Sequence, residues 1–280
     1  MNPTLYPPAR VTQTSSHLVR FGWTITDTWT MTRRDLLHWR LRPATVIMGW
    51  FFPVMIVLLF GLFFGGAIRI PQGGSYFEFL MPGMFATTML FNLDTTMIAV
   101  TTDASKGVTD RFRSLPMSAS AVVLGRCLAD LLNSLVGLTI LIGAGLLLGW
   151  RWHGSMSSSL GAVGLLLLLR FALLWVGILC GLLARGPESV AAVQVLVWPI
   201  SFLSNVFVDP STMPPWLGML AQWNPLSATT EAIRHLFLNP GWQTGTWISE
   251  HAVFLAVVYP LLITACFLPL SVRTYRRLSR

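Results

Sequence analysis

The sequence predicts an all-α polytopic membrane protein with six transmembrane helices. Of its 280 residues, 54% are hydrophobic and only 11% are charged, whereas soluble domains carry about 25% charged residues. Six apolar stretches approach the roughly 20 residues that a helix needs to cross a bilayer. They cover residues 44–67, 79–101, 120–149, 160–184, 190–208 and 249–272. The fifth stretch is the weakest, because Pro199 interrupts it and Asp209 closes it.

The basic residues predict how these spans are oriented. Fourteen of them fall in the N-terminal segment, the 102–119 loop, the 185–189 link and the C-terminal tail. The alternate loops hold only three, Arg69, Arg151 and Arg234. Because basic loops stay on the cytoplasmic side, both termini are expected in the cytoplasm and the protein in the inner membrane. This layout gives a cytoplasmic N-terminus (1–43), a transmembrane domain (44–272) and a basic tail (273–280).

Residues 18–42 predict an amphipathic helix on the inner membrane surface. Its apolar residues recur at roughly helical spacing, with arginines that reach lipid headgroups, before Pro43 separates the helix from the first span. The apolar residues are Phe21, Ile25, Trp29, Leu36 and Trp39, and the arginines are Arg33, Arg34 and Arg40. Two interpretations stay open: an elbow that moves with the spans, or a plain anchor.

Several polar residues lie inside the predicted spans, where each costs about 2.5–3.5 kcal/mol if it is charged. They are Asn92, Asp94, Arg126, Asp130, Asn133 and Arg170. Arg126 and Asp130 share a helix face, while Arg170 lies at a depth similar to that of Asp130. We expect Asp130 to pair with Arg170 or Arg126, with Asn133 nearby, and Asp94 to line a substrate path. The alternative is that the pairs only hold helices together.

No enzyme, metal or nucleic-acid site is predicted. The three cysteines and five histidines show no metal-ligand spacing, and the basic residues lie between apolar runs rather than on a soluble face. A nucleotide-binding loop needs GxxxxGK[ST], and the single lysine, Lys106, does not lie in one. A proton-driven transporter would favour an inverted repeat, which the sequence does not show. Six tryptophans are expected to anchor the outer surface: Trp150, Trp152, Trp216, Trp223, Trp242 and Trp247.

Two motifs carry a family resemblance. The first, in the 102–119 loop, is Asp103-x-x-Lys106-Gly107-Val108-Thr109-Asp110-Arg111-Phe112-x-x-Leu115-Pro116. The second precedes the last span and combines Met213-Pro214-x-Trp216-Leu217, Asn224-Pro225-Leu226 and Glu231-Ala232-x-Arg234. Together with the six-span layout they resemble the type 2 ABC exporter permeases, and most of all the daunorubicin/doxorubicin-resistance group of actinobacteria. The loop departs from the family at Asp103, where Glu is usual, and at Val108, where Thr is common.

The resemblance implies roles for both motifs. Residues 103–116 would be a cytoplasmic coupling helix in a cleft of the ATPase subunit, contacting it through Asp103, Lys106, Gly107, Asp110, Arg111, Phe112, Leu115 and Pro116; an ordinary solvated loop is the alternative. Residues 211–238 would be a pair of re-entrant helices facing outside, and Asn224-Pro225 independently predicts a helix start there. The alternative is a folded outer loop without a gating role.

The resemblance also implies the partners. Two copies of an ATP-binding subunit would hold ATP and Mg, since no cofactor is expected in this chain, and a second permease subunit, identical or related, would complete the complex among membrane lipids. The expected activity is outward transport of hydrophobic or amphiphilic molecules, either drugs or lipids. The alternatives are an exporter of lipid-linked glycans or cell-envelope lipids and, further off, a proton-driven transporter.

Overall fold

The computed structural model describes residues 17–41, 43–66, 75–105, 119–184, 186–242 and 245–277. Ten α-helices and one 3₁₀ turn, Pro210–Thr212, form within these ranges, and no strand does. The helices are α1 (His17–Leu41), α2 (Pro43–Phe64), α3 (Tyr76–Ser105), α4 (Ala119–Leu147), α5 (Met156–Leu183), α6 (Pro187–Phe202), α7 (Pro215–Trp223), α8 (Pro225–Phe237), α9 (Trp247–Glu250) and α10 (Ala252–Arg277). The all-α class predicted from the composition is therefore confirmed.

Four helices are long and apolar enough to cross a membrane: Val46–Phe64 in α2, Val123–Leu147 in α4, Met156–Leu183 in α5 and Ala252–Tyr275 in α10. The other two predicted spans fall on α3 and α6. Helix α3 has 30 residues but carries Glu78, Asp94 and Asp103 along its length, and α6 has only 16 residues with Pro199 inside it. The structure thus shows a membrane-integral helical bundle, and the count of six spans stays a prediction.

Helix α5 lies at the centre of the bundle and packs most extensively against α3 and α10. The first half of α3 is buried almost without interruption from Phe79 to Leu90. Helix α8 packs against this half of α3 and against the start of α5. Helices α7 and α8 therefore lie at one end of the bundle, which we call the α8 end. The opposite end, the α1 end, gathers α1, the last turns of α3 and α5, and the start of α4.

Helix α1 confirms the predicted N-terminal helix, and it packs along α4. Met31 and Thr32 are buried on this side, where Thr32 Oγ1 lies 3.1 Å from the carbonyl oxygen of Gly125. Trp29, in the predicted apolar stripe, is instead 57% exposed. Trp29 therefore lies away from the contact with α4 and is free to contact lipid, whereas Leu36 of the same stripe is half-buried.

The close approach of α1 to α4 depends on Gly125, and we expect Gly125→Ala to loosen it. A Cβ atom there would lie 2.5 Å from Met31 Cβ and 2.8 Å from the carbonyl oxygen of Thr28. Such overpacking costs about 1–3 kcal/mol, so the thermal unfolding midpoint in detergent should fall. Gly143→Ala is the matched control on the same helix, because nothing lies within 4 Å of its added Cβ. Equal midpoints for the two variants would contradict the prediction.

Candidate functional site

A polar network joins α3, α4 and α5 inside the bundle, and Arg170 is its centre. The side chain is 1% exposed. Its Nε donates to Ser134 Oγ at 2.9 Å and its Nη2 to Thr96 Oγ1 at 2.6 Å. Thr96 in turn donates to Asp130 Oδ2 at 2.8 Å. Buried polar groups in an apolar bundle need partners, and the network supplies them from all three helices, except for Arg170 Nη1, which has none among the described residues.

Asp130 pairs with Arg170, as one of the two sequence alternatives predicted. Arg170 Nη2 lies 3.8 Å from Asp130 Oδ2, and the Thr96 hydroxyl bridges the two groups. The other alternative, Arg126 with Asp130, forms no ion pair within 4.0 Å among the described residues, although the two charges are close enough to attract each other. Arg126 forms its ion pairs with Asp103 and Asp35 instead. Asp130 therefore pairs with a cation in the middle of the bundle, whereas Arg126 pairs with carboxylates at its α1 end.

The two asparagines lie around this network rather than within the ion pair. Asn92 Nδ2 donates to Ser134 Oγ at 3.1 Å and so extends the network along α3. Asn133 was expected beside the Asp130 pair, but its Oδ1 accepts a 2.9 Å hydrogen bond from Trp50 Nε1. Asn133 thus fixes α2 to α4, a role that sequence spacing alone did not indicate.

Asp94 lies apart from the Arg170 network. It is half-buried on α3, beside Gln194 of α6. Its Oδ1 is buried without a hydrogen-bond partner among the described residues. This intramembrane carboxylate is therefore the one for which the bundle itself provides least compensation.

Four charged side chains cluster at the α1 end. Arg126 Nη1 donates to Asp103 Oδ2 at 2.7 Å, and Arg126 Nε lies 3.9 Å from Asp35 Oδ2. Arg34 lies 3.4 Å from Asp103 and 3.7 Å from Asp35. Burial raises the pKa of Asp35, although Arg126 and Arg34 oppose the rise. The cluster links α1, α3 and α4, and sequence reasoning had not included Arg34 or Asp35 in it.

A cavity of about 70 Å³ opens beside this cluster. The four charged side chains line one part of it, and apolar residues of α1, α3, α4 and α5 line the rest, with Tyr275 of α10. Of the loop motif, Asp103 lies here at the last turn of α3. The remaining motif residues, Lys106, Gly107, Asp110, Arg111, Phe112, Leu115 and Pro116, lie outside the described residues. Asp103 lies in α3, before that segment, and Arg126 lies in α4, after it. Their hydrogen bond therefore holds together the two helices that flank the segment, which we call its stems.

The predicted pair of short helices before the last span is confirmed at the α8 end. Pro214 is the N-cap of α7, Met213 and Trp216 flank it, and Trp216 is 66% exposed. Asn224 is the N-cap of α8 and accepts from the backbone N–H of Leu226 at 2.9 Å, with Pro225 in the first turn. The same asparagine donates to the carbonyl oxygens of Ile200 and Leu203. Asn224 therefore both starts α8 and seals the end of α6.

Arg234, counted above as an outer loop charge, is instead fully buried. It donates to the carbonyl oxygens of Asn205 at 3.2 Å, Val206 at 3.3 Å and Phe79 at 3.3 Å. Glu231 Oε2 lies 3.5 Å from Nη1, and the guanidinium sits 4.2 Å from the centre of the Phe79 ring. Burial lowers the pKa of Arg234 to about 10, so the group stays charged at neutral pH. One arginine thus connects α8, the 203–206 turn and the start of α3.

Two of the six tryptophans predicted to anchor the outer membrane surface are instead buried at the α8 end. Trp150 is 1% exposed and donates to Asn239 Oδ1 at 3.0 Å, and Trp242 donates to the carbonyl oxygen of Asn205 at 2.9 Å. Trp216, Trp223 and Trp247 are more than half exposed, as anchors would be. The correction has a simple cause: buried indole N–H groups need an acceptor, and the folded turns supply one.

His235 should give the α8 end a pH-dependent contribution to stability. A hydrogen bond to Glu231 raises the pKa of His235 above its ordinary value of 6.5, with burial and Arg234 opposing the rise. Because the folded pKa is raised, the contribution is fully present below pH 6.5 and is lost as pH rises through the folded pKa. Thermal midpoints measured from about pH 5.5 to 8.5 should fall for the wild type and stay flatter for His235→Gln. His251→Gln, at the same end but stacked on Trp247, is the control; an equal flattening there would contradict the assignment.

The chain is similar to one protein family and to several proteins of other organisms. Residues 26–238 match the ABC-2 type transporter family. The chain is 32% identical over 272 residues, covering 96% of this chain and 89% of the relative, to the daunorubicin resistance ABC transporter permease protein DrrB1 of Streptomyces coeruleorubidus. It is 21% identical over 255 residues (91% and 90%) to the probable doxorubicin resistance ABC transporter permease protein DrrC of Mycobacterium tuberculosis. A putative transport permease, ycf38 of Cyanophora paradoxa, is 24% identical over 249 residues (88% and 86%). The resemblance carried by the two sequence motifs is therefore confirmed, and the chain belongs to the ABC-2 type transporter family of membrane permeases.

Proposed function

We propose that this permease is the membrane subunit of an ATP-driven exporter that moves hydrophobic or amphiphilic molecules outward across the cytoplasmic membrane. The observation that carries the proposal is the 32% identity, over 96% of the chain, to a permease named for daunorubicin resistance. ATP hydrolysis takes place in a separate ATPase subunit, present in two copies with ATP and Mg. A second permease subunit, identical or related, completes the complex.

The α1 end supports this proposal because it can transmit force. The proposed coupling segment joins α3 to α4, and the 2.7 Å bond between Asp103 and Arg126 fastens its two stems together. Arg34 and Asp35 fasten the same stems to α1. Movement of the segment by the ATPase therefore acts on three helices as one unit. In this assignment the α1 end and both termini are cytoplasmic, as the basic residues predict.

The α8 end supports the opposite role, that of a rigid outer cap. Arg234, Glu231, Asn205 and Asn224 tie α7 and α8 to α3 and α6 through buried hydrogen bonds. Buried hydrogen bonds that join several elements to one side chain restrict how those elements move, although Asn205 Oδ1 and Arg234 Nε have no partner among the described residues. We assign this end to the outer face, where it closes the path until the ATPase-driven movement at the α1 end opens it.

The first test is the ATPase activity of the separately purified ATPase subunit, with and without the full permease in lipid nanodiscs. The wild-type chain should stimulate hydrolysis, and Arg111→Glu/Leu115→Asp should abolish the stimulation, because the double variant reverses a charge and removes an apolar contact in the proposed docking segment. Export of a fluorescent amphiphile by the reconstituted complex should disappear in parallel.

The control is Ser157→Glu, an exposed position in the first turn of α5 at the α8 end. An acidic side chain is favourable near a helix N-terminus, so this variant should fold and stimulate the ATPase normally. Association with the ATPase that is indifferent to the loop substitutions would place the docking surface elsewhere. A permease that binds no ATPase subunit would overturn the exporter assignment.

A further inference from the structure

The loop between α4 and α5 is bound to the end of α8. We call residues 150–154 of this loop the strap, and residues 237–239 the α8 turn. The backbone N–H groups of His153 and Gly154 both donate to the carbonyl oxygen of Phe237, at 2.9 and 3.2 Å. A Cβ atom at position 154 would clash with the α8 backbone, so the absence of a side chain there permits this close approach. The strap thus lies directly on the α8 turn.

Side chains complete the contact between the strap and the α8 turn. Trp150 Nε1 donates to Asn239 Oδ1 at 3.0 Å, and Asn239 Nδ2 donates to the carbonyl oxygen of Arg151 at 2.8 Å. On its other side the strap meets the start of α3, where His153 Nε2 lies 3.1 Å from Glu78 Oε1. The strap therefore joins the end of α8 to α3 as well as to its own helices.

The backbone of the α8 turn is strained at Leu238. Its φ of 53° and ψ of 39° lie in the left-handed region, which side chains with a Cβ disfavour and which glycine or asparagine usually occupies at a helix end. Within the described ranges no other residue except glycine has a positive φ. The side chain is 63% exposed, so its packing does little to offset the strain. Such a conformation persists where neighbouring structure holds it, and the strap binds both flanking residues, Phe237 and Asn239.

Helix α4 connects the strap with the α1 end. Its 29 residues extend roughly 40 Å at about 1.5 Å per residue. It contains no proline, whereas α2, α3, α6 and α10 each contain one or more inside the helix, and proline is the commonest cause of a kink. Helix α4 packs most extensively on α1, while α5 packs on α3 and α10. A displacement of α4 relative to α5 therefore acts on the strap, which joins the two helices.

We propose that movement at the α1 end reaches the outer face along α4 and draws the strap away from the α8 turn, which then relaxes and opens the outer cap. The proposal rests on the proposed export function and identifies the part of the cap that moves first. Release is favoured by the strain at Leu238, because the residue leaves the left-handed region when the strap no longer holds its neighbours. Arg234 and its acceptors stay in place, since none of these hydrogen bonds involves the strap.

The first test is amide hydrogen exchange of His153 and Gly154 in the full permease in nanodiscs, without an ATPase subunit. Because both amides donate to Phe237, their exchange reports release of the strap. Leu238→Gly removes the strain and should slow this exchange about fivefold, equivalent to about 1 kcal/mol. Leu238→Asn, which tolerates the left-handed region, should slow it in the same direction. Leu238→Ala is the matched control, because it keeps the strain and should exchange as the wild type does.

The second test repeats the measurement in the complex with the ATPase subunit and ATP. Exchange of the two strap amides should rise several-fold, whereas the amides of Asn205 and Val206, beside the Arg234 contacts, should stay slow. The docking variant Arg111→Glu/Leu115→Asp should abolish the rise. An equal rise at Asn205 and Val206 would mean that the outer cap moves as one body, which would overturn the proposal.

Export provides the functional readout. Leu238→Gly should slow export of the fluorescent amphiphile by about the factor by which it slows strap exchange, and Leu238→Ala should not. Equal strap exchange in these two variants would overturn the proposal, as would a strap that ATP leaves unchanged in a complex that exports. Because the first test needs no ATPase, its failure is distinct from a failure of ATPase stimulation, which tests the export function itself.

Discussion

Arg234→Met should be the most damaging single substitution at the α8 end, and we expect it to lower the yield of folded permease sharply. The arginine donates to three backbone carbonyl oxygens and lies against Glu231 and the Phe79 ring. Removing it takes away a donor from those carbonyl oxygens and the only guanidinium beside a nearly buried carboxylate, which keeps only its contacts to Asn205 and His235 among the described residues. Breaking a buried ion pair from one side costs about 3–5 kcal/mol, which is a large fraction of the stability of most proteins.

The measurement is the thermal unfolding midpoint and the monodisperse yield in detergent. The double variant Glu231→Gln/Arg234→Met should recover part of the lost stability, because Glu231→Gln removes the carboxylate charge that Arg234 no longer balances. Arg234→Lys should not recover it, since one ammonium group cannot reproduce the forked contacts of the guanidinium. Arg151→Ala is the matched control: Arg151 lies at the same end but bonds only to neighbouring carbonyl oxygens of its own helix end. Similar losses for Arg151→Ala and Arg234→Met would contradict the assignment.

The second large effect is expected inside the bundle, where Asp130 and Arg170 act together. Arg170→Gln should destabilise the permease by about 3 kcal/mol or more, because it removes the cation that compensates Asp130 in a medium without water. Asp130→Asn should also destabilise it, since Arg170 is 1% exposed and would keep its charge without a carboxylate. The double variant should lose less than the sum of the two, with a coupling of about 1–3 kcal/mol.

The control cycle uses Arg126 in place of Arg170. Because Arg126 makes its ion pairs with Asp103 and Asp35, the coupling between Arg126→Gln and Asp130→Asn should be smaller than that between Arg170→Gln and Asp130→Asn, although not zero, since the two residues lie one helical turn apart. A charge swap, Asp130→Arg/Arg170→Asp, should restore little. The reason is that Arg170 also donates to Ser134 and Thr96 from its position on α5. An arginine at position 130 would extend from the α4 backbone instead and would not reproduce these hydrogen bonds. Additivity in the Asp130–Arg170 cycle would show that the two charges are independent.

Much of the architecture follows from local sequence signals. Apolar runs and turn residues predicted the long helices, and Asn224-Pro225 predicted the start of α8, because capping and helix propensity depend on neighbouring residues. The partner of Arg126 depended on something else. Four-residue spacing pointed to Asp130, yet the nearer carboxylates come from α3 and α1, whose positions are decided by packing over many residues.

The burial of Arg234 was also not predicted from the sequence. Counting loop charges treats every arginine between spans as a water-exposed signal, but the count does not register which loops fold back into the bundle. Two clues were present: Glu231 lies three residues earlier on the same helix, and α8 begins with a strong cap. Such a pair on a capped helix is compatible with burial. Its acceptors, the carbonyl oxygens of Phe79, Asn205 and Val206, could not be read from sequence spacing.

The contact between Arg234 and Phe79 has a consequence for the order of biogenesis. The two residues are 155 positions apart in the chain. At a synthesis rate of about 5–20 residues per second, the ribosome adds Arg234 roughly 8–30 s after Phe79. During that interval the beginning of α3 lacks the guanidinium that later fastens it. The nascent permease therefore completes its α8 end only after most of the chain has entered the membrane. A chain that stops before Arg234 therefore leaves the start of α3 without the side chain that joins it to α8.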